Sequence, residues 1–429
     1  MRIQWRPVRR TVQVSALALC TLMVLWTAPR PGQFLSARGL VTMDPLAGLM
    51  AMLASRQFLA AFVPALGMLL LALLLGRVWC GWLCPLGSII EWTSVRKNPR
   101  PMPRGLRRAK YGLLLLAAFG ALLRFLGWTL LDPVTLYTRA VTIVVLPANQ
   151  WLVTRLQEWL YRSELLAVAA DFMDSWLRPI VLSYRQPYTR GLWTILLLIF
   201  TIIGLNRLAP RFWCRYLCPL GALLSLLSRL SLFKRRVRSS CVQCGACQRI
   251  CPMATIEAER GYASDAGECI QCLDCVDTCP ADAIAIRAAC SVDRGWGYDP
   301  GRRDVLAALG ITVAGASLAS ISASVHHPRP HLLRPPGAIE SDLVATCVRC
   351  GACLRACPTH GLQRCLGEAG LVGVGTPILV PRLGHCDYSC VACGSVCPTG
   401  AIPLLALDEK RLNVIGKAYV DQQLCLPWT

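Results

Sequence analysis

Histidine is scarce in this 429-residue chain. Its five copies, His326, His327, His331, His360 and His385, all lie beyond residue 325. A bis-histidine haem b needs paired imidazoles, so the N-terminal three quarters of the chain cannot hold one. Acidic residues are also few, 24 Asp and Glu against 45 Lys and Arg, leaving a formal charge of +21. An excess of that size can serve nucleic acid, but its placement speaks against it. The basic residues concentrate in VRKNPRPMPRGLRRAK (95–110), in FKRRVR (233–238) and in the first ten positions, each beside an apolar run. That is the pattern of cytoplasmic loops, and no nucleic-acid partner is expected. Charged residues make up only 16% of the chain and hydrophobic ones 55%, which sets soluble-enzyme readings back.

What is abundant is apolar sequence. Runs at Val12 to Ala28, Phe58 to Trp79, Tyr111 to Leu131 and Leu192 to Trp213 predict four transmembrane helices, the first leaving the cytoplasm and the others alternating. The core reads as a duplication: MDPLAG (43–48) and LDPVTL (131–136) precede segments that each end in W-C-x-[WY]-L-C-P-L-G. The stretch 137–190 is extra to the second unit, and its Trp and Tyr residues suit an outer interfacial layer or a docking loop. GRRDVLAALGITVAGASLASISASV (301–325) follows a twin arginine with weakly apolar residues. It predicts a fifth transmembrane helix resembling an export signal, against the plainer reading of a buried helix or linker. The proline-rich PRPHLLRPPG (328–337) then becomes an outer-face linker.

The expected fold class is an α-helical membrane protein, with a four-helix duplicated core, a fifth helix and two α+β two-cluster ferredoxin-like modules. Its parts are a membrane core (1–239), a cytoplasmic module (240–292), the twin-arginine segment and linker (293–337) and an outer-face module (338–429).

Cysteine is the other abundance, with 24 copies. CVQCGACQRICP (241–252), CIQCLDCVDTCP (269–280) and CVRCGACLRACP (347–358) are C-x2-C-x2-C-x3-C-P runs; CDYSCVACGSVCP (386–398) widens the first gap by one residue. A [4Fe-4S] cube takes three thiolates from the tight loop, and in two-cluster ferredoxins the cysteine before proline ligates the neighbouring cube. The first module then pairs Cys241, Cys244, Cys247 and Cys279 around one cube and Cys269, Cys272, Cys275 and Cys251 around the next. The second pairs Cys347, Cys350, Cys353 and Cys397, then Cys386, Cys390, Cys393 and Cys357. Four [4Fe-4S] clusters are expected. Structural zinc is the competing reading for C-x2-C pairs, but it does not need the third close cysteine and trailing C-P. Apolar ADAIAI (281–286) and TGAIPLLAL (399–407) suit short shielding strands.

Four cysteines stand apart. Cys80, Cys84, Cys214 and Cys218 occupy RVWCGWLCPLG (77–87) and RFWCRYLCPLG (211–221). On an α-helix, residues i and i+4 share a face, so each pair would present two convergent sulfurs and the repeat would gather four. Three readings stand: a shared metal or iron–sulfur centre, a redox-active dithiol pair, or a helix-ending feature. Cys20, Cys290, Cys365 and Cys425 are left over. Cys425 lies in KAYVDQQLCLPWT (417–429), which looks like the lead into a further ferredoxin motif, as in a truncated polyferredoxin or one completed by a partner. Arg124, in the third apolar run, is read as snorkelling to the outer surface.

The duplicated W-C-x-[WY]-L-C-P-L-G pairs followed by two ferredoxin runs resemble the NapH/NosR-type membrane polyferredoxins, over residues 1–290. From the twin arginine onward the chain resembles the NapG/MauM-type exported ferredoxins, so it looks like a fusion of two proteins that act together. The resemblance implies a quinol dehydrogenase component that oxidises quinol from the membrane pool and delivers electrons to a periplasmic reductase or cytochrome in anaerobic respiration. It also implies an inner-membrane location, with lipid and quinone as partners, the first module cytoplasmic and the second periplasmic. The first residues do not resemble the extended flavin-binding N-terminus of the nitrous-oxide type, so covalent flavin is not expected. Nor do the last residues resemble the immunoglobulin-like C-terminus of the oxidase-assembly cupric reductases, which lowers the chief rival, a metal-ion reductase or assembly factor working through the C-x-x-x-C-P thiols.

Overall fold

Prolines and capping side chains start helices at matching points of the two repeats. In the computed structural model, which describes residues 4–27, 35–94, 104–162, 188–288 and 332–418 with isolated positions elsewhere, the core is helical. Its helices are α1 (Trp5–Leu25), α2 (Ala37–Thr42), α3 (Pro45–Ser55), α4 (Val63–Leu75), α5 (Pro85–Trp92), α6 (Ala109–Leu122), α7 (Pro133–Ala140), α8 (Leu146–Leu160), α9 (Leu192–Leu205) and α10 (Pro219–Ser228). Asp44 accepts the Leu46 N–H at 2.9 Å to cap α3, and Asp132 accepts the Thr135 N–H at 2.8 Å to cap α7. Both aspartates are fully buried. Burial and its neighbour Asp132 push the Asp44 carboxyl far up, and burial raises that of Asp132, so the pair is held short of double ionisation.

The apolar runs do not build the expected four-helix membrane core. Among the described residues one helix, α1 with 21 residues, is long and apolar enough to cross a membrane; the other apolar helices have 10–17. The reason is local backbone chemistry. The Phe58 to Trp79 run is cut to the 13 residues of α4 by Gly76, whose φ of +69° turns the chain. Arg124, at φ +60°, ends the third run behind the 14 residues of α6. Asn206 stops α9 after 14 residues: its buried amide donates to the Ile90 carbonyl at 3.2 Å and its oxygen accepts from the Phe212 N–H. Helices of 13 or 14 residues are about 20 Å long, short of the roughly 30 Å a hydrocarbon layer requires. Arg124 is half exposed and pairs with Asp342 of the second module at 2.9 Å. The proposed fifth helix at 301–325 lies outside the described residues, as do Cys290, Cys425, His326, His327 and His331.

Among the described residues strands are few and short, so the two modules are not the α+β units expected. In the first, β1 (Phe233–Val237) pairs antiparallel with β2 (Ile284–Ala288), from Phe233 opposite Ala288 to Val237 opposite Ile284. The basic FKRRV, read from sequence as part of a loop, is thus a strand that closes over the cysteine loops. In the second, β3 (Leu362–Arg364) pairs with β4 (Pro377–Leu379), and TGAIPLLAL forms no strand. One apolar cluster runs through the helical core into both modules, taking in Cys80, Cys214, Cys272, Cys350 and Cys353.

Candidate iron–sulfur sites

The two C-x-x-x-C segments are not α-helical. Trp79–Leu83 and Trp213–Leu217 are π-helical turns, in which Cys84 N–H donates to the Trp79 carbonyl at 2.8 Å and Cys218 N–H to the Trp213 carbonyl at 2.9 Å. Each second cysteine then becomes extended, and the following proline opens a new helix. The sulfur takes the place of a capping oxygen: Cys84 Sγ accepts the Gly87 N–H at 3.3 Å and Cys218 Sγ the Gly221 N–H at 3.2 Å. The sulfurs still converge, but through a π turn and a cap rather than the face of an α-helix.

All four cysteines line one pocket, together with Arg77, Trp79, Trp213 and Pro133. Three donors of these wall residues, the indole Nε1 of Trp79 and Trp213 and the Nε of Arg77, are buried without an acceptor. Unpaired buried donors are costly, and they fit a group that is rich in electrons and accepts hydrogen bonds. Burial pushes the thiols of Cys84, Cys214 and Cys218 upward, so each is protonated until a cation displaces its proton. Among the described residues no three Cys, His, Asp or Glu side chains close tightly enough for a single ion. An iron–sulfur cube, which holds its ligands farther apart, fits a cavity walled by four thiols better than one tetrahedral ion with bonds of about 2.3 Å.

Two arginines cross the site. Arg77 donates to the Cys214 carbonyl at 3.5 Å and Arg211 to the Cys80 carbonyl at 2.9 Å, so each repeat's arginine reaches the other repeat's first cysteine. Both are buried to the last atom, and each has an acid. Arg77 meets Glu268 at 3.0 Å, and Arg211 meets Glu91, which also takes Arg9 at 2.6 Å. Burial alone would raise the Glu91 carboxyl, but Arg211 and Arg9 outweigh it and hold it below the usual carboxylate range. Lys110 and Arg77 do the same for Glu268. Neither arginine nor its acid was singled out from sequence. The signal was present in both repeats as arginine three places before the first cysteine, but the carbonyl each one reaches lies in the other repeat.

The ferredoxin cysteines lie in groups. Cys241, Cys244, Cys247 and Cys279 line one cavity, and Cys251, Cys269, Cys272 and Cys275 another. Cys357, Cys386, Cys390 and Cys393 line a third; the widened gap does not take Cys386 away from it. Cys353 lies beside Cys350, Cys347 and Cys397, whose charge would oppose its ionisation after burial has already raised it. Cys365 is buried away from these sets, against Glu368 and the Ala369 N–H, and Cys20 is buried in α1.

Both modules dock on the helical core. Lys110 Nζ meets both Glu268 oxygens at 2.6 Å, Trp82 donates to the Gln271 carbonyl at 3.0 Å, and Arg9 donates to the Cys272 carbonyl at 3.0 Å. Gly81 explains one difference between the repeats. A Cβ there would come within 2.6 Å of the Ile270 carbonyl, whereas the matching position of the second repeat carries Arg215. The second module is met by Thr129, donating to the Val348 carbonyl at 3.2 Å, and Thr138, donating to the Cys350 carbonyl at 2.9 Å. Arg355 donates to the Leu25 carbonyl at the end of α1.

Comparison with known proteins agrees with this chemistry. Residues 57–103 and 190–239 match a family described as a 4Fe-4S binding domain, and residues 230–284 match a 4Fe-4S dicluster domain. The chain is 43% identical over 136 residues to the methylamine utilization ferredoxin-type protein MauM of Methylorubrum extorquens, covering 30% of this chain and 60% of that protein. It is 40% identical over 98 residues to the ferredoxin-type protein NapG of Escherichia coli, covering 22% and 41%. It is 29% identical over 234 residues to the putative electron transport protein YccM of Escherichia coli, covering 52% and 54%. The aligned parts thus span 41–60% of the length of these relatives. No solved structure matches the chain. Together the two 4Fe-4S matches and these relatives support a ferredoxin-type iron–sulfur protein in an electron-transfer role.

Proposed function

We propose that this chain is the quinol-oxidising, electron-carrying component of a respiratory complex, attached to the cytoplasmic membrane and delivering electrons to a periplasmic reductase or cytochrome. The sixteen ferredoxin cysteines hold four [4Fe-4S] clusters, and Cys80, Cys84, Cys214 and Cys218 hold a further iron–sulfur centre. The observation that carries this reading is the four-cysteine pocket, whose wall presents buried N–H donors with no acceptor among the described residues. When bound, iron–sulfur centres supply one-electron chemistry at each of these sites. The chain's own part is to exclude water with Trp79, Trp213 and Leu86, and to offset thiolate charge with Arg77 and Arg211.

The two-sided arrangement is supported by α1. Near its start Arg9 reaches the Cys272 loop of the first module, and at its end the Leu25 carbonyl is held by Arg355 of the second. Those residues lie about 24 Å apart along the helix axis, less than the roughly 30 Å of an average hydrocarbon layer, so both docking contacts lie at the membrane's edges rather than beyond them. With α1 crossing the membrane, the first module is cytoplasmic and the second periplasmic. Lipid and the quinone pool are the membrane partners; exposed Trp193, Leu197 and Phe200 on α9 offer apolar surface to them.

Anaerobic iron and sulfide analysis tests the site. Changing Cys80, Cys84, Cys214 and Cys218 together to serine should remove one centre's iron and leave the ferredoxin signals intact. Adding a quinol analogue to the purified protein with its acceptor should reduce the clusters, as read by EPR. Copper(II) reduction that depends on Cys80 and Cys214, with no response to quinol, would favour the metal-ion reductase instead.

A further inference from the structure

The four-cysteine cavity is walled on one side by contacts to the first module and on the other by a helix that reaches the second. On the first side, Gly81, next to Cys80, lies against the Ile270 carbonyl. The two following carbonyls are held as well, Gln271 by Trp82 at 3.0 Å and Cys272 by Arg9 at 3.0 Å. Arg77, in the cavity wall, is paired with Glu268, the residue before Cys269. On the other side, Pro133 walls the cavity and opens α7; Thr138, on the same helix, donates to the Cys350 carbonyl at 2.9 Å. Pro133 to Thr138 is about 7.5 Å of helix. From Arg9 to Leu25, the level of one module to that of the other, α1 covers about 24 Å. Gln13, a quarter of the way along that stretch, donates to the Gly81 carbonyl at 2.9 Å and so marks the depth of the cavity between the two.

We infer that Cys80, Cys84, Cys214 and Cys218 form the electron station that joins the two ferredoxin modules, making the chain one continuous conductor with two cluster pairs and a central junction. This rests on the reading that the four cysteines hold an iron–sulfur centre. Each step moves one electron and neither makes nor breaks a bond. An electron placed at the Cys251, Cys269, Cys272 and Cys275 site by a one-electron reductant such as dithionite passes to the junction. From there it passes to the Cys347, Cys350, Cys353 and Cys397 site.

The test is magnetic and does not depend on turnover. In a potentiometric EPR titration of the full-length wild-type protein under dithionite, the microwave power saturation of the signals from both modules should change together. The change should fall at the potential where the central signal appears, because a paramagnet between them relaxes each. In the quadruple serine variant that enhancement should be lost at both modules. A change at one module only, or at neither, in the wild-type titration overturns the junction even if the variant fails to fold. If the variant keeps its full iron content, the underlying site assignment is wrong and the junction falls with it. If iron drops by one centre while saturation of the module signals stays as in wild type, the site stands and the junction alone is overturned.

Discussion

Where the first module meets the core, Glu268 sits between Arg77 and Lys110, and Asp274 takes Arg9 at 3.2 Å, all five of them buried. Where the second meets it, the innermost contacts are threonine hydroxyls donating to the carbonyls of Val348 and Cys350. The first dock is ionic and intolerant: a buried charge that loses its partner costs far more than the pair contributes. The second is neutral in its innermost contacts, each hydrogen bond contributing about 1 kcal/mol, and its ion pairs, Arg124–Asp342 and Arg190–Glu368, lie at the solvent-exposed edge where they are worth little. One core therefore holds two similar modules by different chemistry. The ionic dock is fixed in register, while the neutral dock depends on the sum of small contacts.

The largest blow to that contrast should be Glu268→Gln, which leaves Arg77 and Lys110 buried without their carboxylate. It should cost about 3–5 kcal/mol in chemical denaturation and expose the first module to limited proteolysis while the second stays protected. Next is Arg77→Gln or Arg211→Gln. Removing a buried cation beside the four cysteines should lower the reduction potential of the centre there, by roughly 100 mV in potentiometric EPR. Acid should separate the docks more gently. The folded carboxyls of Glu268 and Glu91 lie below their unfolded value of about 4.3, so their contribution is complete above that value and is lost as pH falls through the folded one. As pH falls below about 4.3 and through the folded values, amide exchange, corrected for its intrinsic pH dependence, should rise over residues 265–275 before it rises over 347–353. The smallest effect is Thr138→Val, about 1 kcal/mol, seen as faster exchange around Cys350 with iron content unchanged.

The cysteine sets were legible in the sequence because their spacing is local: three ligands come from one seven-residue loop and the fourth from a cysteine marked by its proline. The helical core was legible only in part. Hydropathy counts apolar residues, but it does not register the positive φ at Gly76 and Arg124 or the amide of Asn206, and those set where the helices stop. Basic FKRRV looked like a flank because its strand character depends on a partner about fifty residues away, Ile284–Ala288. The π turns were hidden for a similar reason, since nothing in C-x-x-x-C separates an i−4 from an i−5 bond. Arg77 and Arg211 stood in the quoted motifs, yet their role appears only once the repeats are folded against each other.

That crossing has a consequence for how such a site could have arisen. A residue in one half reaching the second half, and its counterpart reaching back, is the contact rule of a two-fold symmetric dimer. A chain with a single R-x-W-C-x-x-x-C-P segment could complete the arrangement only by pairing with a copy of itself, and both arginines would then need the same counter-charge. Joined in one chain, the halves are released from that identity. One arginine now answers to Glu91 within the core and the other to Glu268 in the docked module, so a site with symmetric ligands has unlike ends.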